Sequence, residues 1–211
     1  MGPLKADVVV IGGGAAGSMC ALTAAQRGLN VVLLEPNKML GKKLRITGKG
    51  RCNVTNHCDV KTILANIPGD GRFLYSALNR LGPQDTMALF ESLGVPLKTE
   101  RGNRVFPVSD HSSDVIRALE RLLQREGVKV HLCSSVKRVL EEDGQAVGLE
   151  LSDGKRIQAD SVIVATGGLS YPSTGSTGDG YRFARELGHT VTQITPSLVP
   201  FYVKETCAAR M

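Results

Sequence analysis

Asp7-Val-Val-Val-Ile-Gly-Gly-Gly-Ala-Ala-Gly-Ser-Met-Cys-Ala-Leu-Thr-Ala-Ala-Gln-Arg-Gly-Leu-Asn-Val-Val-Leu-Leu-Glu35 decides the fold. Val8 to Ile11 is a short, β-branched, wholly apolar run, the pattern of a strand buried on both faces of a parallel sheet. It stops at Gly12, and Gly12, Gly14 and Gly17 then form G-x-G-x-x-G ahead of a small-residue helix, Ala15 to Ala25, that ends near Gly28. A second buried run, Val31 to Leu34, closes on Glu35. In such a unit the first glycine makes the tight turn, the second lets backbone approach a pyrophosphate and the third lets helix and strand pack closely. The helix N-terminus adds free N–H groups and the positive end of its dipole. Glu35, 18 residues after Gly17 at the tip of the second strand, is placed to accept ribose hydroxyls, which favours FAD or NAD over NADP. A glycine-rich turn that serves packing alone has no need of that acid.

Downstream of Glu35, Pro36 to Asn56 carries Lys38, Lys42, Lys43, Arg45, Lys49 and Arg51, with no acid before Asp59. Gly41, Gly48 and Gly50 interrupt any periodicity, so the stretch is expected to be an extended loop wrapped around an anion. A solvated basic loop and nucleic-acid binding are the competing readings. The absence of any Phe, Tyr or Trp between Pro36 and Asp59 removes the stacking platform that nucleic acid uses, and cofactor phosphates are nearer.

Further on, short helices are expected over Val60–Asn66, Phe73–Arg80 and Pro83–Leu93, then a hairpin of Leu97–Thr99 with Arg104–Pro107. Ser112 or Ser113 is expected to cap a helix from Asp114 to Glu126, and Val128–Leu132 to form a parallel strand. Asp143-Gly144 and Asp153-Gly154 separate Val136–Glu142, Ala146–Leu151 and Arg156–Gln158 into a β-meander. Ser161 to Ala165 then returns to the sheet as a further strand, ending on Thr166-Gly167-Gly168. Gly175 to Gly180 opens a helix through Gly188, and the chain is expected to run through Pro196–Pro200 to Met211 within or just after a strand. The class is α/β: a Rossmann-like FAD/NAD(P)-binding fold with a parallel sheet, a β-meander crossover and a small helical and hairpin insertion.

Composition limits the function classes. The 211 residues are 42% hydrophobic and 22% charged with a formal net charge of +6, enough apolar content for a sizeable core. No run of 18 apolar residues suggests a membrane span, and Gly12-Gly13-Gly14 interrupts what a signal peptide would need, so a cytoplasmic protein is expected. Five scattered cysteines (Cys20, Cys52, Cys58, Cys133, Cys207) without C-x-x-C fit reduced thiols, and no metal site is expected. A disulfide-reductase dithiol is disfavoured, because five residues separate Cys52 and Cys58 where C-x-x-x-x-C has four. On a helix the second thiol then turns about 240° from the first. Tyr171, His189 and Arg104 are chemically capable, but surface or packing roles account for them, and no catalytic residue is assigned.

Several segments together are more specific than the fingerprint: Gly41-Lys-Lys-Leu44, Gly48-Lys-Gly-Arg-Cys-Asn-Val-Thr-Asn56, Arg104-Val-Phe-Pro107 and Ala165-Thr-Gly-Gly-Leu-Ser-Tyr-Pro-Ser-Thr-Gly-Ser-Thr-Gly-Asp-Gly180. With the meander they resemble the two-segment FAD-binding fold of the glutathione reductase and fumarate reductase superfamilies. More closely they resemble the bacterial YhiN-like or BaiN-like flavoproteins, also called aminoacetone oxidase family FAD-binding enzymes. The resemblance implies FAD as cofactor, with Gly12, Gly14, Ala15, Ala16 and Gly17 at the pyrophosphate, Glu35 at the adenosine ribose and Pro36 among the cofactor-binding residues. Lys43 and the turn Gly50-Arg51-Cys52-Asn53 would lie along the phosphates or flavin. Val136 would meet the adenine through backbone, and Ala165, Thr166, Gly167 and Gly168 would close over the cofactor. Asp179 either touches FAD or stabilises the start of its helix.

The resemblance also implies an oxidoreductase that passes hydride between a donor such as NADH or NADPH, docking transiently, and a small organic substrate or oxygen. No second G-x-G-x-x-G follows a strand to hold a nicotinamide of its own. Members are longer, so residues 1–211 read as one FAD-binding domain, with core segments 1–58 and 112–211 and an insertion at 59–111. The substrate domain and the C-terminal FAD segment are then absent. A dinucleotide-binding module without catalysis is the alternative reading.

Overall fold

The structure, a computed structural model, describes residues 4–196. The expected strand around Pro196–Met211 lies almost wholly outside the described residues, as does Cys207. In chain order the elements are β1 (Leu4–Ile11), α1 (Ala15–Gln26), β2 (Val31–Leu34), α2 (Lys42–Ile46), β3 (Thr55–Asn56), α3 (Val60–Ala65), α4 (Tyr75–Arg80) and α5 (Pro83–Ser92). They continue with β4 (Leu97–Glu100), β5 (Arg104–Pro107), α6 (Ser112–Arg125), β6 (Lys129–His131), β7 (Val136–Glu142), β8 (Gln145–Leu151), β9 (Arg156–Val164) and α7 (Asp179–Glu186). The main sheet runs β6-β2-β1-β9-β8-β7. β6, β2, β1 and β9 are parallel, and β8 and β7 turn back as an antiparallel meander.

Strand pleat explains how the sheet is covered. Val8 and Val10 point to one face, where they meet Ala21 and Leu22 of α1 and Leu122 and Leu123 of α6. Val9 and Ile11 point to the other, where Leu149, Ile157 and Phe183 of β8, β9 and α7 cover them. Both faces are dry, so the uniformly apolar runs of β1 and β2 are what this position demands. Each fully buried Val or Leu side chain contributes about 1.5–3 kcal/mol of transfer free energy. A third cluster, Cys52, Phe90, Val95, Val115, Ala118 and Leu119, joins α5 and α6 to the loop after α2.

Three expectations require correction. The basic stretch after β2 is not extended: left-handed Gly41 (φ 62°) opens α2, and a tight turn follows at Thr47–Gly50. Lys-Lys-Leu-Arg-Ile are adequate helix formers once that glycine supplies the entry. The returning strand is not separate from the meander, because β9 is continuous through Asp160. Its first residues pair with β8, while Ile157 through Val164 run along β1. The cap of α6 is His111 and not a serine. Ser109 Oγ donates to the Asp114 carboxylate at 2.6 Å, which draws the chain into the helix early, and Ser112 Oγ donates to the Arg45 carbonyl at 3.4 Å.

The expected hairpin is present as β4 and β5, and β3 adds to it in a second sheet of order β3-β5-β4. Thr55 and Asn56 thereby join a sheet otherwise built within residues 59–111. No helix among the described residues is long and apolar enough to cross a membrane.

Candidate functional site

A cleft of about 380 Å³ opens at the C-terminal ends of β1, β2 and β9, where ligands bind in open parallel sheets. The glycine turn forms its floor. Gly12 has φ 107°, and a Cβ there would lie 2.5 Å from the Ala165 carbonyl oxygen. A Cβ on Gly17 would lie 1.8 Å from the Gly12 oxygen, so α1 meets the turn at backbone contact and Gly17 lies beneath the floor. Gly14 is different: a Cβ there has no neighbour within 4 Å, so this turn presents bare backbone to open space, as a pyrophosphate cradle requires.

Glu35 is 6% exposed and does more than border the cleft. Its Oε2 accepts from the Gly13 N–H at 2.8 Å, and its Oε1 accepts from the Asn37 N–H at 2.9 Å and Asn37 Nδ2 at 2.6 Å. The carboxylate thus ties the tip of β2 to the phosphate turn. An ionised carboxylate has about four lone-pair sites, so capacity remains toward a ribose. The backbone N–H of Ser134 donates to the Glu35 carbonyl at 2.9 Å, which sets Ser134, Ser135 and Val136 along one wall.

The opposite wall is Ala165, Thr166 and Gly167, held by the Ala165 N–H on the Ile11 carbonyl at 2.8 Å. Thr166 Oγ1 is buried without a hydrogen-bond partner, a state that a bound polar group would relieve. Beyond it, the Leu169–Gly175 loop reaches the cleft at Thr174 and Gly175. Lys42 Nζ donates to the Ser173 carbonyl at 2.6 Å and Lys43 Nζ to the Ser170 carbonyl at 2.7 Å. The bare glycine backbone, the orphaned hydroxyl and two ammonium groups on one cleft fit the diphosphate of FAD.

Gly12, Gly14, Ala15, Ala16, Glu35, Pro36, Lys43, Val136, Ala165, Thr166, Gly167 and Asp179 therefore share one cleft. Asp179 both borders it and serves α7, accepting from Thr177 Oγ1 at 2.7 Å and from Arg182 Nη2 at 3.2 Å. Gly168 stands just off the wall, facing the Tyr181 hydroxyl.

The turn Gly50-Arg51-Cys52-Asn53 is not on the cleft wall, contrary to expectation. Arg51 swings toward the small sheet, its Nη1 donating to Glu100 Oε1 at 2.9 Å and Asp110 Oδ1 at 3.3 Å and its guanidinium stacked 3.9 Å over Phe106. Two carboxylates and a buried aromatic face outbid a distant cleft. Arg51 holds the Glu100 carboxyl below the usual range, and Lys98 does the same for Asp110. Cys52 and Asn53 line a separate apolar cavity of about 290 Å³ that shares Ala15, Ala16 and Leu44 with the cleft. Burial pushes the Cys52 thiol pKa up, which suits packing and not a redox thiolate.

Tyr171 and Arg104 are exposed on loop and strand edge, and His189 is exposed past α7. Sequence reasoning missed Asn37, Thr47 and Ser176 on the cleft wall. Lys42 was legible only as one of six cations in the basic stretch, and nothing in the local pattern marks Asn37.

The match to known proteins covers nearly the whole chain. Residues 6–202 match the family described as HI0933-like protein, Rossmann domain. The 3-dehydro-bile acid delta(4,6)-reductase of Clostridium scindens is 38% identical over 200 residues, 93% of this chain and 47% of that protein. The ribosomal RNA dihydrouridine synthase of Escherichia coli is 31% identical over 197 residues, 92% of this chain and 48% of that one. The chain thus spans about half the length of these relatives. Among solved structures, a flavocytochrome c3 fumarate reductase superposes with a TM-score of 0.61 at 23% identity, over 89% of this chain and 41% of that one, a likeness of fold. With the glycine turn, the β2 acid and the meander all in the expected register, the chain belongs to the HI0933-like family, and what is folded here is its FAD-binding Rossmann domain.

Proposed function

We propose that this chain is the cofactor-holding part of an FAD-dependent reductase acting on a carbon–carbon double bond conjugated to a carbonyl. The observation that carries the proposal is the cleft itself, which joins an open glycine turn, the buried Glu35 network and two lysines on one sheet end. Both curated relatives are named for such chemistry, since a delta(4,6)-reductase and a dihydrouridine synthase each add two hydrogens across a conjugated C=C. FAD supplies the hydride chemistry when bound, and the protein's work is to bind, orient and exclude water. Gly12, Gly14, Ala15 and Ala16 take the pyrophosphate in this reading. Glu35 and Pro36 take the ribose, the Val136 backbone the adenine, and Thr166 a cofactor oxygen. Reduced NADH or NADPH docks transiently as electron donor, and the scattered free cysteines fit a cytoplasmic, reducing setting.

A small organic substrate is favoured over RNA. The basic stretch is divided between other tasks: Lys42 and Lys43 border the cofactor cleft, and Arg51 is paired with Glu100 and Asp110. The test is anaerobic reduction of the FAD-loaded protein by NADH or NADPH, followed by reoxidation with a cyclic enone or with a uridine-containing transcript. Colourless protein that ignores added FAD would sink the reading, and reoxidation by the transcript alone would overturn the substrate class. Bound flavin that neither donor bleaches would favour the binding-module alternative.

A further inference from the structure

We infer that Lys42 and Lys43 form a double-sided clamp: on the cleft side they hold a diphosphate, and on the outer side they fasten the Leu169–Gly175 loop as a strap. The inference rests on the cleft being the dinucleotide site and adds to it a loop held by the same two cations.

The two ammonium groups sit on adjacent residues of α2 and both border the cleft. Lys42 Nζ spends one donor on the Ser173 carbonyl (2.6 Å) and one on Asn37 Oδ1 (3.2 Å), and Lys43 Nζ spends one on the Ser170 carbonyl (2.7 Å). An ammonium has three donors, so one remains on Lys42 and two on Lys43. Every partner named is neutral, and among the described residues neither lysine is paired with a carboxylate within 4.0 Å. Two ammonium groups with donors to spare therefore share the cleft with the carboxylates of Glu35 and Asp179, neither of which they touch directly, and with a glycine turn whose Gly14 faces open space. A group with two negative charges and several acceptor oxygens satisfies them without breaking the carbonyl bonds.

The strap needs those bonds. Its backbone is left-handed at Tyr171 (φ 54°) and Gly175 (φ 99°), and Tyr171 is 68% exposed, so the segment is not held by burial. Its tethers run instead to the loop after β2: the two lysines, and Asn37 Nδ2 on the Thr174 carbonyl at 3.2 Å. Asn37 is itself held by Glu35. An anion that fixes the lysine side chains also fixes the strap, and by linkage an ordered strap raises affinity for the anion.

The chain contains no tryptophan, so Tyr171→Trp gives an emission signal from the strap alone. The full chain carrying Tyr171→Trp is compared with versions that also carry Lys42→Met, Lys43→Met or both. Calorimetry with ADP and AMP reads the cleft side, and acrylamide quenching with and without ADP reads the strap. The clamp predicts ADP binding tighter than AMP by about tenfold or more, as expected for charge-assisted bonds to a second phosphate. It also predicts that the double variant loses most of this preference. Quenching should fall on ADP addition with both lysines present, and should be higher and insensitive to ADP without them. Equal ADP affinity in the double variant overturns the phosphate side, and unchanged quenching overturns the strap side. A parent protein that binds neither ADP nor FAD overturns the reading of the cleft, and the clamp with it.

Discussion

Replacing Glu35 by Gln separates two roles that the same carboxylate could play. The side chain keeps its shape but loses one acceptor, so whichever way the amide turns, an NH₂ group faces an N–H. The less costly orientation keeps Asn37 satisfied and leaves the Gly13 N–H, 2.8 Å away and buried, without a partner. An unsatisfied buried donor costs about 1–3 kcal/mol, and turning the two remaining charge-assisted bonds into neutral ones adds roughly 1 kcal/mol more. The sum is about 2–4 kcal/mol against the cofactor-free protein. For a domain of this size each kcal/mol moves the melting temperature by roughly 2–4 °C, so a drop of roughly 5–15 °C is expected without any ligand. Differential scanning calorimetry of the apo protein reads it, and fluorescence titration with FAD reads the accompanying loss of affinity. An apo Tm within about 1 °C of the parent, with FAD affinity alone reduced, would refute the reasoning and leave Glu35 as a ribose ligand only.

Four further outcomes are expected. Gly14→Ala should leave the apo Tm nearly unchanged yet weaken FAD binding, because its Cβ meets nothing in the protein but enters the cradle. Gly17→Ala, whose Cβ would lie 1.8 Å from the Gly12 oxygen, should destabilise the fold itself by about 2–3 kcal/mol or more. Equal effects of the two in chemical denaturation would contradict this geometry. Glu150 is hydrogen-bonded by Lys137 and then Arg138, which lower its pKa from 4.5 to about 2. A depressed carboxyl stabilises fully above its unfolded pKa and loses that contribution as pH falls through the folded one. Urea midpoints should therefore fall between pH about 4.5 and about 2, and Glu150→Gln should flatten the curve over that window; parallel curves would argue against the pairing. Iodoacetamide should alkylate exposed Cys133 in the folded protein and reach buried Cys52 only after unfolding, as read by peptide mass mapping. Early labelling of Cys52 would show that its cavity opens.

Much of the fold was legible because its signals are local. Val8 to Ile11 and Val31 to Leu34 announce strands with two dry faces, the glycine spacing announces the turn, and Asp143-Gly144 and Asp153-Gly154 announce the meander. The hairpin after Leu97 and the short helices before it follow from the same kinds of pattern. Interruptions mislead: Gly41 reads as an end of regular structure, yet its left-handed backbone begins a helix. The gap between Gln158 and Ser161 reads as the end of one strand and the start of another, but β1 pairs on both sides of it and carries β9 through Asp160.

The sequence by itself determined the nucleotide-binding unit, since every part of it lies within the 29 residues from Asp7 to Glu35 and obeys steric rules that act between near neighbours. Only the tertiary structure decided which cations border the cleft. Arg51 and Lys43 look equivalent along the chain, yet Arg51 finds Glu100 at a separation of 49 residues, and Lys42 and Lys43 find loop carbonyls at separations of 131 and 127. The direction a long charged side chain takes depends on which acceptors the folded layers bring near it, and that is set by how the two sheets and α6 stack.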